Sequence, residues 1–151
     1  TLAAYRRDLT LYGTWLAGLR DKVAKLGLGE RVVFLENQPQ KRVARLMRFA
    51  TALAHASRAE SFGLVLIEAM ACGLPSVAYN CPHGPADIIY NEKDGMLVEK
   101  NDLKCFTRSL IKMIQCNENR EWMGQNAKID MKRYSPENIM AKWDNLFKKM
   151  I

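Results

Sequence analysis

Two carboxylates, Glu60 and Glu68, stand eight positions apart around the apolar run Phe62-Gly63-Leu64-Val65-Leu66-Ile67. A carboxylate accepts hydrogen bonds from vicinal hydroxyls. Between the two, Ser61 to Gly63 lead into a helix-like stretch that ends in Ala69-Met70-Ala71-Cys72 and closes at Gly73. The first amides of such a helix, near Phe62 to Val65, have no intrahelical partner, and together with the helix dipole they attract phosphate. Gly63 has no side chain, so a ligand can approach the backbone closely there. A carboxylate, an amide nest and a second carboxylate, in that order, suit a sugar, a phosphate and a ribose, the parts of a nucleotide sugar. A lone glutamate near a helix start is explained by the dipole alone, worth about 0.3–1 kcal/mol. A pair bracketing an apolar segment, directly after a buried-type strand, points to a ligand instead.

The elements that must position this pair follow from periodicity. Asp8–Gly13 reads as a short strand ending in a glycine turn, and Thr14 as the cap of a helix with Leu16, Leu19, Val23 and Leu26 on one face, closed by Gly27. Arg31–Leu35, "RVVFL", is a β-branched run of strand length. Pro39 precedes a basic helix in which Val43, Leu46, Met47 and Ala50 share a face. Thr51–Ser57 predicts a third strand, Pro75–Tyr79 a fourth and Gly95–Glu99 a fifth, the last after an Asp94-Gly95 turn. A short helix begins near Pro85. Asn101 or Asp102 caps a helix carrying Leu103, Phe106, Leu110 and Met113; another covers roughly Glu118 to Lys132. Ser135-Pro136 opens the last, with Ile139, Met140, Trp143, Leu146 and Phe147 as its apolar side. Alternating strands and helices predict an α/β fold with a doubly wound parallel sheet, ending in helices alone. In such a sheet ligands bind outside the carboxyl ends of the strands, and Glu60 follows one of those ends.

Composition narrows the class. A chain of 151 residues, 48% hydrophobic and 26% charged, fits one globular domain with a single core. The net charge of +7 suits an anionic partner, yet Lys41, Arg42, Arg45 and Arg48, then Lys128, Lys132 and Arg133, then Lys148 and Lys149 read as solvated helix faces. These runs lack interleaved aromatics, so no nucleic-acid partner is expected. Cys72, Cys81, Cys105 and Cys116 have no metal-ligand spacing, so no metal is expected and reduced thiols in cytoplasm are. Cys72 and Cys81 read as packing groups, His55 as a packed core residue, and no nucleophile triad is legible. No apolar run reaches the ~18 residues of a membrane span.

The stretches "RVVFL", "ASRAESFGLVLIEAMACGLPSVA", "GPADII" and "DGMLVEKND" resemble, in order and spacing, the C-terminal, donor-binding domain of retaining glycosyltransferases with the GT-B fold, family 4 in particular. "ESFGLVLIE" is similar to the E-x7-E signature of that family, and "CPHGPADII" looks like its bacterial surface-polysaccharide members. The resemblance covers most of residues 9 to 150 and implies the Rossmann-like, C-terminal half of a GT-B fold over residues 1–151. It implies that Glu60 contacts donor-sugar hydroxyls and organises the transition state. Amides of Phe62, Gly63 and Leu64 would meet the sugar, those of Leu64 and Val65 the pyrophosphate, and Glu68 the ribose. The backbone around Phe34, Leu35 and Glu36 would pair with the base, and the His83-Gly84 loop would line the donor sugar. Asp87 stands where many relatives carry Glu. A nucleotide sugar such as a UDP- or GDP-sugar is the implied substrate, with no cofactor, and the acceptor would be a glycan or a lipid-linked molecule.

Relatives open this domain with a strand carrying Gly-Arg and then Lys, whereas this sequence opens at "TLAAYRRD", without Met. Arg6 and Arg7 do not match those cations in position. A fragment lacking that first strand and the N-terminal acceptor domain is the expectation, inactive or nearly so by itself. The implied location is the cytoplasm, with peripheral contact at the inner face of a membrane; oligomeric state is left open. Competing readings are a non-catalytic nucleotide-binding or assembly module and a GT-B nucleotide-sugar epimerase. An epimerase would need further acid and base groups, and a glycogen-type phosphorylase a pyridoxal-phosphate lysine motif; neither is visible.

Overall fold

A computed structural model describes residues 16–150. The expected strand Asp8–Gly13, the Thr14 cap and Arg6 and Arg7 lie outside the described residues. The chain divides into two compact units, Thr1–Gln38 and Pro39–Ile151.

In the first unit, helix α1 spans residues 16–25. It closes as expected: the Gly27 N–H donates to the Ala24 carbonyl at 3.0 Å and the Leu28 N–H to that of Val23 at 3.0 Å. Residues 32–36 take no part in any ladder among the described residues, which corrects the strand expected at Arg31–Leu35. β-branched residues favour extended backbone, but a strand exists only where a neighbour pairs with it. Val33 is accordingly 77% exposed.

The second unit carries a three-stranded parallel sheet in the order β1-β2-β3, formed by Leu53–His55, Ser76–Asn80 and Gly95–Glu99. The register sets His55 opposite Ala78 and Ala78 opposite Leu97. The third expected strand thus shortens to three residues. Helices α2 (Gln40–Phe49) and α3 (Leu64–Ala71) flank β1 in sequence. α4 (Pro85–Ile88) follows β2, and α5 (Leu103–Gln115) and α6 (Asn117–Asp130) follow β3. A 3-10 turn, Met131–Tyr134, leads into α7, Pro136–Lys148.

β2 is buried on both faces, which explains why its sequence reads as an unbroken apolar run. Successive side chains point to opposite sides. Val77 and Tyr79 join Met96, Val98, Phe106, Met113 and Met123 on one side. Ala78 joins Leu66, Met70, Ile88, Ile89, Ala127 and Met131 on the other. Each large side chain buried this way contributes about 1.5–3 kcal/mol. Two caps expected from sequence are present: the Asp102 carboxylate accepts the Cys105 N–H at 2.9 Å, and the Ser135 hydroxyl accepts the Asn138 N–H at 3.4 Å. α7 buries no residue among those described; Trp143 stacks on Phe147 with centroids 5.6 Å apart, and both stay half-exposed.

The turn before β3 contains a buried acid. Asp94 is fully enclosed; its Oδ1 accepts the Tyr90 N–H at 2.7 Å, and its Oδ2 has no hydrogen-bond partner among the described residues. Desolvation pushes its carboxyl up to about 6, and the nearby Asp130 adds to the rise, against the opposing Tyr90 hydrogen bond and the Arg133 charge. Asp130 itself accepts from Lys93 Nζ at 2.7 Å.

Candidate functional site

Glu60 and the start of α3 sit in the loop after β1, at the carboxyl end of the parallel sheet. Gly63 ends that loop with φ +91°, a left-handed conformation that a side chain would strain. No side chain caps α3 and no acidic residue occupies its first turn. The Gly63 carbonyl accepts the Leu66 N–H at 2.9 Å, so the amides immediately before Leu66 have no intrahelical acceptor. An unsatisfied cluster of N–H groups at a helix start is a seat for an anion. Along α3, Leu66, Ala69 and Met70 face the core while Leu64, Val65 and Glu68 stay exposed. Leu64 and Glu68 are four residues apart and therefore share one face, one turn removed from the amides.

A second loop, after β2, closes against the first. Gly84 has φ +140°, and a Cβ placed there would lie 2.9 Å from the Phe62 carbonyl carbon and 3.5 Å from the Glu60 Cβ. Glu60, Phe62, Gly63 and Gly84 are thus brought together. His83 precedes Gly84, exposed and with φ 61°. Asp87 is exposed on α4, and its carbonyl accepts from the Tyr134 hydroxyl and the Arg133 guanidinium, both at 3.2 Å. The Phe62 ring meets Tyr134 edge-on at 6.0 Å. The 3-10 turn after α6 therefore straps both loops from behind. Its Arg133 stacks over the rings of Tyr90 at 4.6 Å and Tyr134 at 4.9 Å and donates to the Ile88 carbonyl. Sequence placed Arg133 on a solvated face; it is half-buried and structural.

His55 is packed, as expected for a strand residue, but its polar edge has a partner that sequence did not disclose. Its Nε2 lies 3.1 Å from Glu60 Oε1, with only 11% and 23% of the two side chains exposed. Cys81 is buried and Cys72 half-buried, each as a free thiol. Among the described residues, no group of three or more His, Cys, Asp or Glu side chains is placed to hold a metal.

Phe34, Leu35 and Glu36 belong to the other unit, Thr1–Gln38. There the Arg20 guanidinium lies over the Phe34 ring at 5.4 Å and pairs with the Glu36 carboxylate. The Glu36 carbonyl accepts Gln38 Nε2 at 2.6 Å, so one backbone acceptor expected to meet a base already has a partner. Leu35 is 44% exposed. A groove of about 580 Å³ runs along α2, lined by Pro39, Lys41, Arg42, Arg45, Leu46 and Phe49; it includes none of the residues brought together around Glu60.

Residues 4–130 match the family described as Glycosyl transferases group 1. The amylovoran biosynthesis glycosyltransferase AmsD of Erwinia amylovora is 33% identical over 130 residues, 86% of this chain and 36% of that protein. A mutant of TarM from S. aureus, solved with fondaparinux, alpha-GlcNAc-glycerol and UDP, superposes with a TM-score of 0.72 at 30% identity. The match covers 85% of this chain and 27% of that one. Anabaena Alr3699/HepE, solved with UDP-glucose, gives a TM-score of 0.81 at 24% identity over 91% of this chain and 37% of that one, which speaks to the fold. The chain spans only 15% to 36% of the length of the curated relatives it matches. The parallel sheet with its helices is that of the Rossmann-like half of GT-B enzymes, and the chain belongs to the glycosyl transferases group 1 family.

Proposed function

We propose that this chain is the donor-binding domain of a retaining glycosyltransferase that moves a sugar from a nucleoside-diphosphate sugar to a glycan or lipid-linked acceptor. One observation carries the reading most directly: the loops after β1 and β2 close on each other through Gly84 and Phe62, with Glu60 and the uncapped start of α3 on that junction. AmsD, a glycosyltransferase by name, supports sugar transfer, and TarM supports a nucleoside-diphosphate donor by the UDP in its crystal.

In this reading the diphosphate sits on the amides of Leu64 and Val65, where fixed dipoles stabilise negative charge as the glycosidic C–O bond loosens, and the amides of Phe62, Gly63 and Leu64 meet the sugar. Glu60 meets the sugar hydroxyls and faces the positive charge that grows on the sugar. Glu68, on the exposed side of α3, holds the ribose. The acceptor attacks from the face the diphosphate leaves, which retains configuration. The His83-Gly84 loop lines the donor sugar. The enzyme works in the cytoplasm and meets lipid-linked acceptors at the inner face of a membrane. No helix among the described residues is long and apolar enough to cross a membrane.

Calorimetric titration with UDP-, GDP- and ADP-glucose tests the reading as binding. We expect at least one of them to bind. Glu68→Ala should weaken that nucleotide sugar about tenfold or more, since a hydrogen bond to a charged group contributes roughly 1.5–3 kcal/mol. If none binds, the donor-site reading is wrong; if Glu68→Ala binds as tightly as the parent, the ribose assignment is.

A further inference from the structure

We infer that His55 is a positioning residue for Glu60, holding its carboxylate in the orientation that engages the donor sugar. The inference rests on the donor-site reading above and goes beyond it by naming what orients the first glutamate. His55 is the last residue of β1, its backbone registered against Ala78 of the fully buried central strand. Glu60 lies in the loop that follows, on backbone with no ladder of its own. A rigid strand therefore presents the imidazole, and a loop presents the carboxylate.

The imidazole nitrogen has one polar group within reach. His55 Nε2 is buried and finds no hydrogen-bond partner elsewhere among the described residues, and Glu60 Oε1 is 3.1 Å away. The approach is close but falls short of a formed hydrogen bond. A buried donor without an acceptor is costly, so the pair is favoured whenever Glu60 points inward. With Oε1 engaged, Oε2 is left to accept from a sugar hydroxyl, in an orientation set by the strand rather than by the loop. Preorganising a binding group in this way improves affinity by removing the cost of ordering it when the ligand arrives. The second loop packs beside the same residue: a Cβ at Gly84 would lie in van der Waals contact with the Glu60 Cβ, at 3.5 Å.

The pairing predicts an effect confined to the sugar. The nucleoside diphosphate does not touch Glu60 in this reading, so loss of His55 leaves its binding unchanged. The experiment compares the parent with His55→Leu and His55→Gln, titrating each with UDP-, GDP- and ADP-glucose and with UDP, GDP and ADP; thermal unfolding confirms that the variants fold. For the nucleotide that binds, His55→Leu should weaken the sugar conjugate about fivefold to tenfold and the bare diphosphate less than about twofold. His55→Gln keeps an N–H that can reach Glu60 and should recover most of the difference, also when His55→Leu proves unstable. Parallel weakening of both ligands, or an unchanged ratio between them, overturns the positioning role while leaving the donor site intact. If neither sugar conjugates nor diphosphates bind, the donor-site reading fails and this inference fails with it.

Discussion

Replacing Gly84 by alanine should lower the unfolding free energy by about 3 kcal/mol or more and remove donor binding together with it. Two independent costs add. A backbone at φ +140° is open to glycine and costs other residues about 1–3 kcal/mol. The new methyl would also overlap the Phe62 carbonyl oxygen and lie 2.9 Å from its carbon. Neither atom can give way cheaply, because both are backbone of the loop that feeds α3. Forcing a carbon into packed structure costs typically about 1–3 kcal/mol. If the loop moves to relieve the overlap, the junction between the Glu60 and Gly84 loops opens. Urea titrations of parent and variant measure the effect; equal midpoints and slopes would show that the loops do not meet as described.

Asp94 yields the second large effect, and its sign is set by the direction of the shift. Burial raises the carboxyl from an ordinary 3.8 to about 6 in the folded chain. The folded state therefore holds this proton more tightly than the unfolded chain does. The stability that the proton contributes is complete below pH 3.8 and is lost as pH rises through about 6. At about 1.4 kcal/mol for each pH unit between the two values, the loss has a ceiling of about 3 kcal/mol. Asp94→Asn keeps the oxygen that accepts the Tyr90 N–H and cannot ionise. Its amide can also donate toward Asp130, as a protonated carboxyl would. The variant should be more stable than the parent at pH 8 and close to it at pH 4. Urea melts at the two pH values check this; a variant whose advantage does not grow with pH would contradict the account.

These two residues show what sequence can and cannot disclose. Asp94 reads as a turn former beside Gly95, and it is one. Its surroundings are set by the Tyr90 N–H it accepts and by Asp130, at the end of α6, and Arg133 nearby. No local pattern encodes that. The same holds for His55, whose small apolar neighbours announce a packed strand but not the loop carboxylate beside its Nε2. Arg133 reads in the sequence as one cation of a solvated face, whereas it stacks on Tyr90 and Tyr134. β2, β3 and α5 were legible because their cues are local: an apolar run buried on both faces, an Asp-Gly turn, and an Asp102 cap before a helical stripe. The 31–35 segment failed for the opposite reason, since propensity describes a residue, pairing requires a partner, and the segment has none among the described residues. In the site itself, the glutamate spacing and Gly63 were readable, whereas the contact between Gly84 and Phe62 was not.

The most direct test of the central claim is a crystal structure of the chain soaked with the nucleotide sugar that binds best in the calorimetric panel. On that claim, diphosphate oxygens are expected within hydrogen-bonding distance of the amides of Leu64 and Val65, with the sugar beside Glu60 and the ribose beside Glu68. A nucleotide seated elsewhere, for instance along the basic groove of α2 with the start of α3 unvisited, would contradict it.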